Sequence, residues 1–530
     1  MNYVLGKHSL FFGGELIVTR FDGNWVIANN GSYNFNGLFT SQFVAGTQSK
    51  TNSGNSLADF LLGFPATATG ATGTSAGSFH ETEIAGFVQD DWRVLPNLTL
   101  NLGIRYQFDN PPNDATGHSS IYDVATNLNI PGTWKTNYND WAPRVGFALT
   151  ASPSTVLRGG VGIYYSQPPY NFLQFLLAHA PNFIPQAPTF QITNPTQTEK
   201  VFVANPSSAH QVPQTLGQRM PDTNVQEFNL FIDQKFSTVF LGTIGYAGEI
   251  GRHESIRLNP NQPNAVIPGT STTKYNLAPH TNLGNVYGQY NIGSSNSNAL
   301  EVKLDGRFQG GTRLLASYTW SKSMDISDGD RFPISNFYRP GLNYAPAAWD
   351  RTNSFVFSGV YRLPFGTGQK FAIPDSHFAR LAFAGWELSG IYHLASGLPV
   401  TITESNNADT GSNETFFAQK VCDPNAVSSR SKTQYFNKAC FVQTGAFAYG
   451  VGGRAGVRQP GLNNLDLGFD KSFFITEVHQ LQFRAEAFNT LNHPQFSLPG
   501  SIAVSSTSLG AFTGTSRPMR TMQVGLRYSF

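Results

Sequence analysis

The chain has 530 residues; only 13% are charged while 13% are aromatic, and glycine (52) and phenylalanine (43) are abundant. That charged share is about half the usual value for soluble domains, and a net charge of +2 gives no pull toward nucleic acid or an acidic surface. No run of about 18 apolar residues exists, which excludes a transmembrane helix but not a β-barrel, whose lipid-facing residues are diluted by lumen-facing ones at a mean hydropathy of −0.23.

Met1–His8 lacks the basic region and apolar core of a signal peptide. An exported barrel needs such a signal, so the expectation is that the sequence is a fragment. His8–Val18 already reads as a strand with no lead-in. Ser56–Gly63 reads either as a short capped helix ended by glycine or as a loop element. Gly73-Thr74-Ser75-Ala76-Gly77 matches the pattern of a hydrolase nucleophile turn, which needs a strand before it and a helix after it. Neither is present in this run of small residues, so the match is taken as chance. Asp90 and Asp91 are adjacent on a strand and point to opposite faces, so they do not converge on a substrate. They are expected at a strand end near the rim, with Trp92 at interface depth.

From here on alternation is the dominant signal. Leu98, Leu100, Leu102, Ile104, Tyr106 and Phe108 interleave with Thr99, Asn101, Gly103, Arg105 and Gln107. Val156–Ser166 is blurred by glycines, but Phe228, Leu230 and Ile232 alternate with polar neighbours. Leu300, Val302, Leu304 and Phe308 alternate with Glu301, Lys303, Asp305 and Arg307. Leu314, Ala316, Tyr318 and Trp320 follow, then Leu481, Phe483 and Ala485. The final strand places Met522, Val524, Leu526, Tyr528 and Phe530 on one face, with Thr521, Gln523, Gly525, Arg527 and Ser529 on the other. A tilted strand of about 9–11 residues with one greasy and one wet face is what crosses a bilayer as part of a barrel. Trp92, Tyr164, Tyr165, Trp320, Trp349, Trp386, Tyr528 and Phe530 cluster near expected strand ends, as interfacial girdles do.

Short and long connections alternate. Tight ones fall at Leu95–Asn97, Ala151–Ser154, Phe236–Thr238, Gln309–Gly311 and Thr476–Val478. Long polar ones fall at Asn110–Asp140, Gln167–Asp222, Gly248–Ser297, Ser323–Trp349, Ser396–Leu462 and Asn492–Arg520. Outer-membrane barrels have this asymmetry, with turns at the periplasmic rim and long loops outside. Leu363–Ala382 is longer than a rim turn should be. The expected fold is all-β: an incomplete antiparallel transmembrane barrel, about 15 strands of a larger one, with long extracellular loops. Counting back from a descending last strand, the first recognisable strand also descends, so at least one strand is expected before it.

Cys422 and Cys440 lie in one polar segment. In an oxidising compartment they are expected to form a disulfide stabilising by roughly 3 kcal/mol. The 11 histidines show no paired spacing for a metal, and Gly450-Val451-Gly452-Gly453 lacks the helix of a phosphate loop. No catalytic residue, cofactor or metal is expected.

Phe87–Val94 followed by Pro96–Tyr106 resembles the barrel of TonB-dependent outer-membrane receptors. The resemblance is greatest to the Oar-like branch, whose full-length members carry a carboxypeptidase-regulatory-like domain and a plug. Ala142–Phe147, Leu315–Ser323, Leu363–Gly366, Phe483–Asn489 and Asn492–Phe496 fit the same group. The resemblance runs from about Gly6 to Phe530, making residues 1–530 one partial barrel domain. Gln523, Gly525, Tyr528 and Phe530 occupy the family's assembly-signal positions, which implies recognition by the barrel assembly machinery. Nothing resembles the plug, the TonB-contacting box or the regulatory-like domain, so TonB would act only through a missing region. The resemblance implies a cell outer-membrane location, contact with membrane lipid and energised uptake of a bulky, unidentified ligand. A passive porin or a surface adhesin on a related barrel is the alternative, and a secreted β-rich enzyme would need a convergent catalytic cluster that the sequence does not offer.

Overall fold

The computed structural model describes residues 1–24, 31–44, 47–49, 53–177, 183–186, 214–262, 279–280, 286–329, 332, 334–365, 371, 376–405, 415–445, 448–476 and 478–530. The remaining parts of the expected long loops, Glu477 of an expected turn and Gly366 of a motif lie outside the described residues.

Among the described residues one sheet of eighteen strands dominates. Three of its strands are segments of two or three residues: Asn113–Asp114, Gln214–Leu216 and Ala345–Pro346. The others form the wall. They are β1 (Asn2–Leu5), β2 (His8–Asn24), β3 (Ala76–Leu95), β4 (Leu98–Asp109), β5 (Asp140–Ser152), β6 (Thr155–Ser166), β7 (Thr223–Lys235) and β8 (Phe240–Leu258). They continue as β9 (Tyr287–Arg307), β10 (Arg313–Asp325), β11 (Asn353–Arg362), β12 (Trp386–Ala395), β13 (Leu462–Phe474), β14 (Gln480–Phe488) and β15 (Thr521–Ser529). Each pairs antiparallel with its sequence neighbour. Tight turns gather at one end of this wall and long loops at the other.

Alternation decides the faces. Rungs on one side read Leu16–Ile84, Val88–Ile104, Leu102–Val145, Val145–Val161 and Leu230–Tyr246. They continue Ile244–Val302, Val302–Tyr318, Tyr361–Leu388, Leu388–Phe469 and Ala485–Val524. Apart from the half-buried Ala485 these side chains are exposed, Val524 at 73%, so the wall presents an apolar band that no other part of the described chain covers. The buried apolar clusters lie instead in the loops and loop-end strand tips. A soluble sandwich would pack its greasy strand faces together; here they look outward, as a lipid-facing band does.

Two expectations change and one open choice is settled. The strand at His8 does have a lead-in: β1 precedes it, joined through Gly6 at φ +56. β1 therefore descends toward the turns, as β15 does, and the strand at His8 ascends. The expected loop Gly248–Ser297 shrinks, because β8 and β9 run as strands to Leu258 and from Tyr287. Its Asn291–Ser297 stretch carries polar residues on both faces apart from Ile292, so no alternation marks a strand. Ser56–Leu62 is a helix, capped by Asn55, whose side chain accepts from the Leu57 and Ala58 amides, and ended by left-handed Gly63.

Candidate functional site: a polar wall beneath packed loops

The inward face of the wall is laced by ion pairs within and across its strands. Arg105 pairs with Glu15 at 2.9 Å, Arg158 with Asp233 at 2.9 Å, Arg362 with Glu387 at 2.9 Å and Arg484 with Asp470 at 2.9 Å. Asp305 takes Arg307 at 3.0 Å and Arg313 at 3.4 Å. Each pair occupies alternate positions opposite the apolar band, so one periodicity places both the greasy and the charged surface.

Two recesses interrupt this inward face. One, of about 240 Å3, is floored by Gly103, Gly146, Gly160 and Gly162, which leave the backbone bare across three strands. Gln89, Asn101, Glu227, Asn229 and Arg144 surround it, with the Arg144 guanidinium 4.4 Å from the Tyr164 ring. The second, about 550 Å3, mixes Leu315, Val360, Ile391 and Phe488 with Arg313, Asp466 and Glu486. Glycine floors with amide, charged and aromatic rims suit many weak polar contacts with a passing solute.

The loops pack into a roof. Phe172, Leu173, Leu176, Leu177, Leu216 and Met220 form one core with Phe79 and Ile121. Val400, Ile402, Phe436, Phe441 and Val457 form another with Leu509 and Phe512 of the last loop. Two arginines latch the roof. Arg454, 6% exposed, pairs with the Asp325 carboxylate and with Asp328 at 3.0 Å, and donates to the Asp325 carbonyl at 2.7 Å. Arg458 pairs with buried Asp350 and donates to the Gly397 carbonyl at 2.9 Å. The Cys422 and Cys440 sulfurs are bonded, with Cα atoms 4.8 Å apart and Cys440 fully buried beside the second core. Below the roof, burial, and then the charges of Asp140 and Asp109, push the Asp222 carboxyl far above the ordinary carboxylate range.

The expected site residues fall as follows. Asp90 and Asp91 do separate: Asp90 meets His8 at 2.7 Å on the apolar side, where Trp92 stacks on His8, while Asp91 accepts from Asn101 inside. Tyr164 turns inward, whereas Trp141 stacks on Tyr106 and Trp386 on Phe469 along the apolar side. The Gly73–Gly77 match does follow a strand, Thr67–Gly73, contrary to expectation, but β3 starts within it at Ala76 where a nucleophile turn needs a helix. Gln523 bonds Glu486 inside, and Tyr528 meets His479 at 2.7 Å. Gly525 has open space above it and every residue of β15 is exposed. Among the described residues β15 pairs only with β14. The latch arginines and Arg144 were missed, because they sit among glycines with no periodic signal; Asp222 was missed because its burial is a product of loop packing.

Residues 1–523 match the protein family described as "Outer membrane beta barrel domain". No curated protein matches the sequence. Among solved structures, the chain superposes on the outer membrane transporter YddB from Escherichia coli with a TM-score of 0.52 at 12% identity, covering all of this chain and 52% of that one. It also matches the siderophore receptor PirA from Acinetobacter baumannii, with a TM-score of 0.47 at 11% identity, covering all of this chain and 53% of that one. The chain thus spans about half the length of these structures. YddB supports the fold alone.

Proposed function

The chain belongs to the outer membrane beta barrel domain family, and from that premise we propose that it is the barrel part of a TonB-dependent receptor of the Oar-like branch. In this reading it takes up a bulky ligand through the outer membrane. The observation that carries it is the two-faced wall: an exposed apolar band outside and an ion-paired, glycine-recessed face inside. The ligand would meet the roof first and the inward recesses second. β15, with Gln523, Gly525, Tyr528 and Phe530, would be the segment read by the barrel assembly machinery, since an open strand edge templates strand addition.

The same reading makes this wall one part of a larger barrel. Both edge strands, β1 and β15, descend, so joining them directly would give a parallel pair in an otherwise antiparallel sheet. An odd number of further strands restores antiparallel closure, and hydrocarbon leaves no place for unpaired edge amides. A plug and a TonB-contacting segment would belong to that larger assembly. The test is expression with an export signal, complementary strands, a plug and a TonB-contacting segment, followed by membrane fractionation, heat-modifiability on gels and ligand uptake with and without TonB. Outer-membrane fractionation and TonB-dependent uptake are the expected results. Constant conductance without TonB would replace the receptor by a porin, and a soluble monomer would end the barrel reading.

A further inference from the structure

The connection between β11 and β12 is the one turn-side link too long to be a turn. We propose that it is a membrane-interface foot, seating its aromatic side chains among the phospholipids of the leaflet at the turn end. The inference rests on the outer-membrane reading above and adds a contact that the wall alone does not supply.

The geometry places the foot on the lipid side of the wall. Trp386 and Lys471 face each other on one rung, in the same outward row as Leu388 and Phe469. Both reach back to the connection. The Trp386 indole Nε1 donates to the Ala382 carbonyl at 3.0 Å, and the Lys471 Nζ donates to the Ala384 carbonyl. Lys471 is buried, its ammonium 4.9 Å from the Trp386 ring and 5.0 Å from the Phe473 ring. The end of the short helix His377–Phe383 is therefore tied to the outward face and not to the inward one. Gly385 permits this: at φ +75, a Cβ there would lie 2.5 Å from the Ser472 carbonyl oxygen, so only glycine lets the chain fold back onto β13.

Among its described side chains the foot exposes large aromatic ones. Phe378 is 80% exposed and Phe383 is 54% exposed. Phe365 and Phe371 of the same connection meet with tilted rings, centroids 5.5 Å apart, and Phe474 and Val478 at the next turn are exposed as well. Turns elsewhere on this rim also expose apolar residues, such as Leu95 and Phe236, but beside polar ones such as Asn97 and Ser237. An exposed aromatic patch continuous with a lipid-facing band, at a depth marked by a tryptophan and a lysine, has the chemistry of an interfacial anchor.

The test uses the full chain, completed by the same complementary strands, reconstituted in phosphatidylethanolamine–phosphatidylglycerol vesicles. Both native cysteines are disulfide-bonded, so Phe378→Cys carries a nitroxide at one position. Collisions with oxygen and with a water-soluble nickel chelate are compared with those at Val524→Cys on the band and Asn97→Cys at another turn. The oxygen-to-nickel ratio at position 378 should match that at 524 and exceed that at 97 several-fold. A ratio equal to that at 97, with 524 still reading lipid, overturns the foot alone and leaves the patch free for a protein partner. Water at 524 overturns the membrane reading and the foot with it. Phe383→Cys gives the same readout should the labelled Phe378→Cys chain fail to insert.

Discussion

Arg454→Met should release the roof. The Asp325 side chain is 2% exposed, and its carboxylate oxygen Oδ1 is met by the Arg454 guanidinium, which also holds Asp328 and two loop carbonyls. Methionine keeps the apolar stem but leaves a buried carboxylate with no cation. Breaking a buried pair from one side costs about 3–5 kcal/mol. At about 1.4 kcal/mol per ten-fold, the opened state of the joined loops becomes roughly a hundred-fold to a few thousand-fold more populated. Two backbone bonds report on that opening: the Ala347 amide donates to Ser323 and the Ile402 amide to Gly453. Hydrogen exchange at both amides should accelerate by the same factor while amides within β4 and β5 stay protected. Adding Asp325→Leu removes the second charge and should return most of the protection, because a buried pair replaced by apolar groups is close to neutral. Acceleration below ten-fold, or a double variant as labile as the single one, would refute the latch.

Other consequences can be checked separately. Val302→Arg places a cation in the apolar band and should destabilise the protein in vesicles by about 2–4 kcal/mol, whereas Asn229→Arg on the inward face should leave urea unfolding nearly unchanged; equal losses would contradict the assignment of faces. Asp222 is held protonated by burial and by its carboxylate neighbours, so its contribution to stability is full below its ordinary value of 3.8 and is lost as pH rises toward its raised value. Asp222→Asn should therefore flatten the decline in Tm with rising pH, and a decline as steep as the parent's would show that the burial is not felt. Cys422→Ser with Cys440→Ser should loosen residues 415–445 by about 3 kcal/mol in local exchange without preventing membrane insertion; failure to insert would give the disulfide a role in the wall that its position in the roof does not explain.

The sequence determined the wall. Side chains in a strand alternate whatever surrounds them, so Leu98–Phe108 and Thr521–Phe530 declare a greasy and a wet face by local order alone. The alternation of tight and long connections then places the two ends. Where both faces carry polar residues, as in Ser294–Asn298, the same physics leaves no trace, and β9 was legible only over its membrane half. A lead-in of four residues, β1, is too short to show a period at all. Tertiary structure decided the rest. Arg454 meets Asp325 across 129 positions, and Asp222 becomes unusual only because loops bury it beside other carboxylates. The connection before β12 looked merely long; its place on the lipid side follows from where Trp386 and Lys471 point after the strands have paired. Alternation is a property of neighbours in sequence, whereas latches, recesses and anchors arise from residues that only folding makes neighbours.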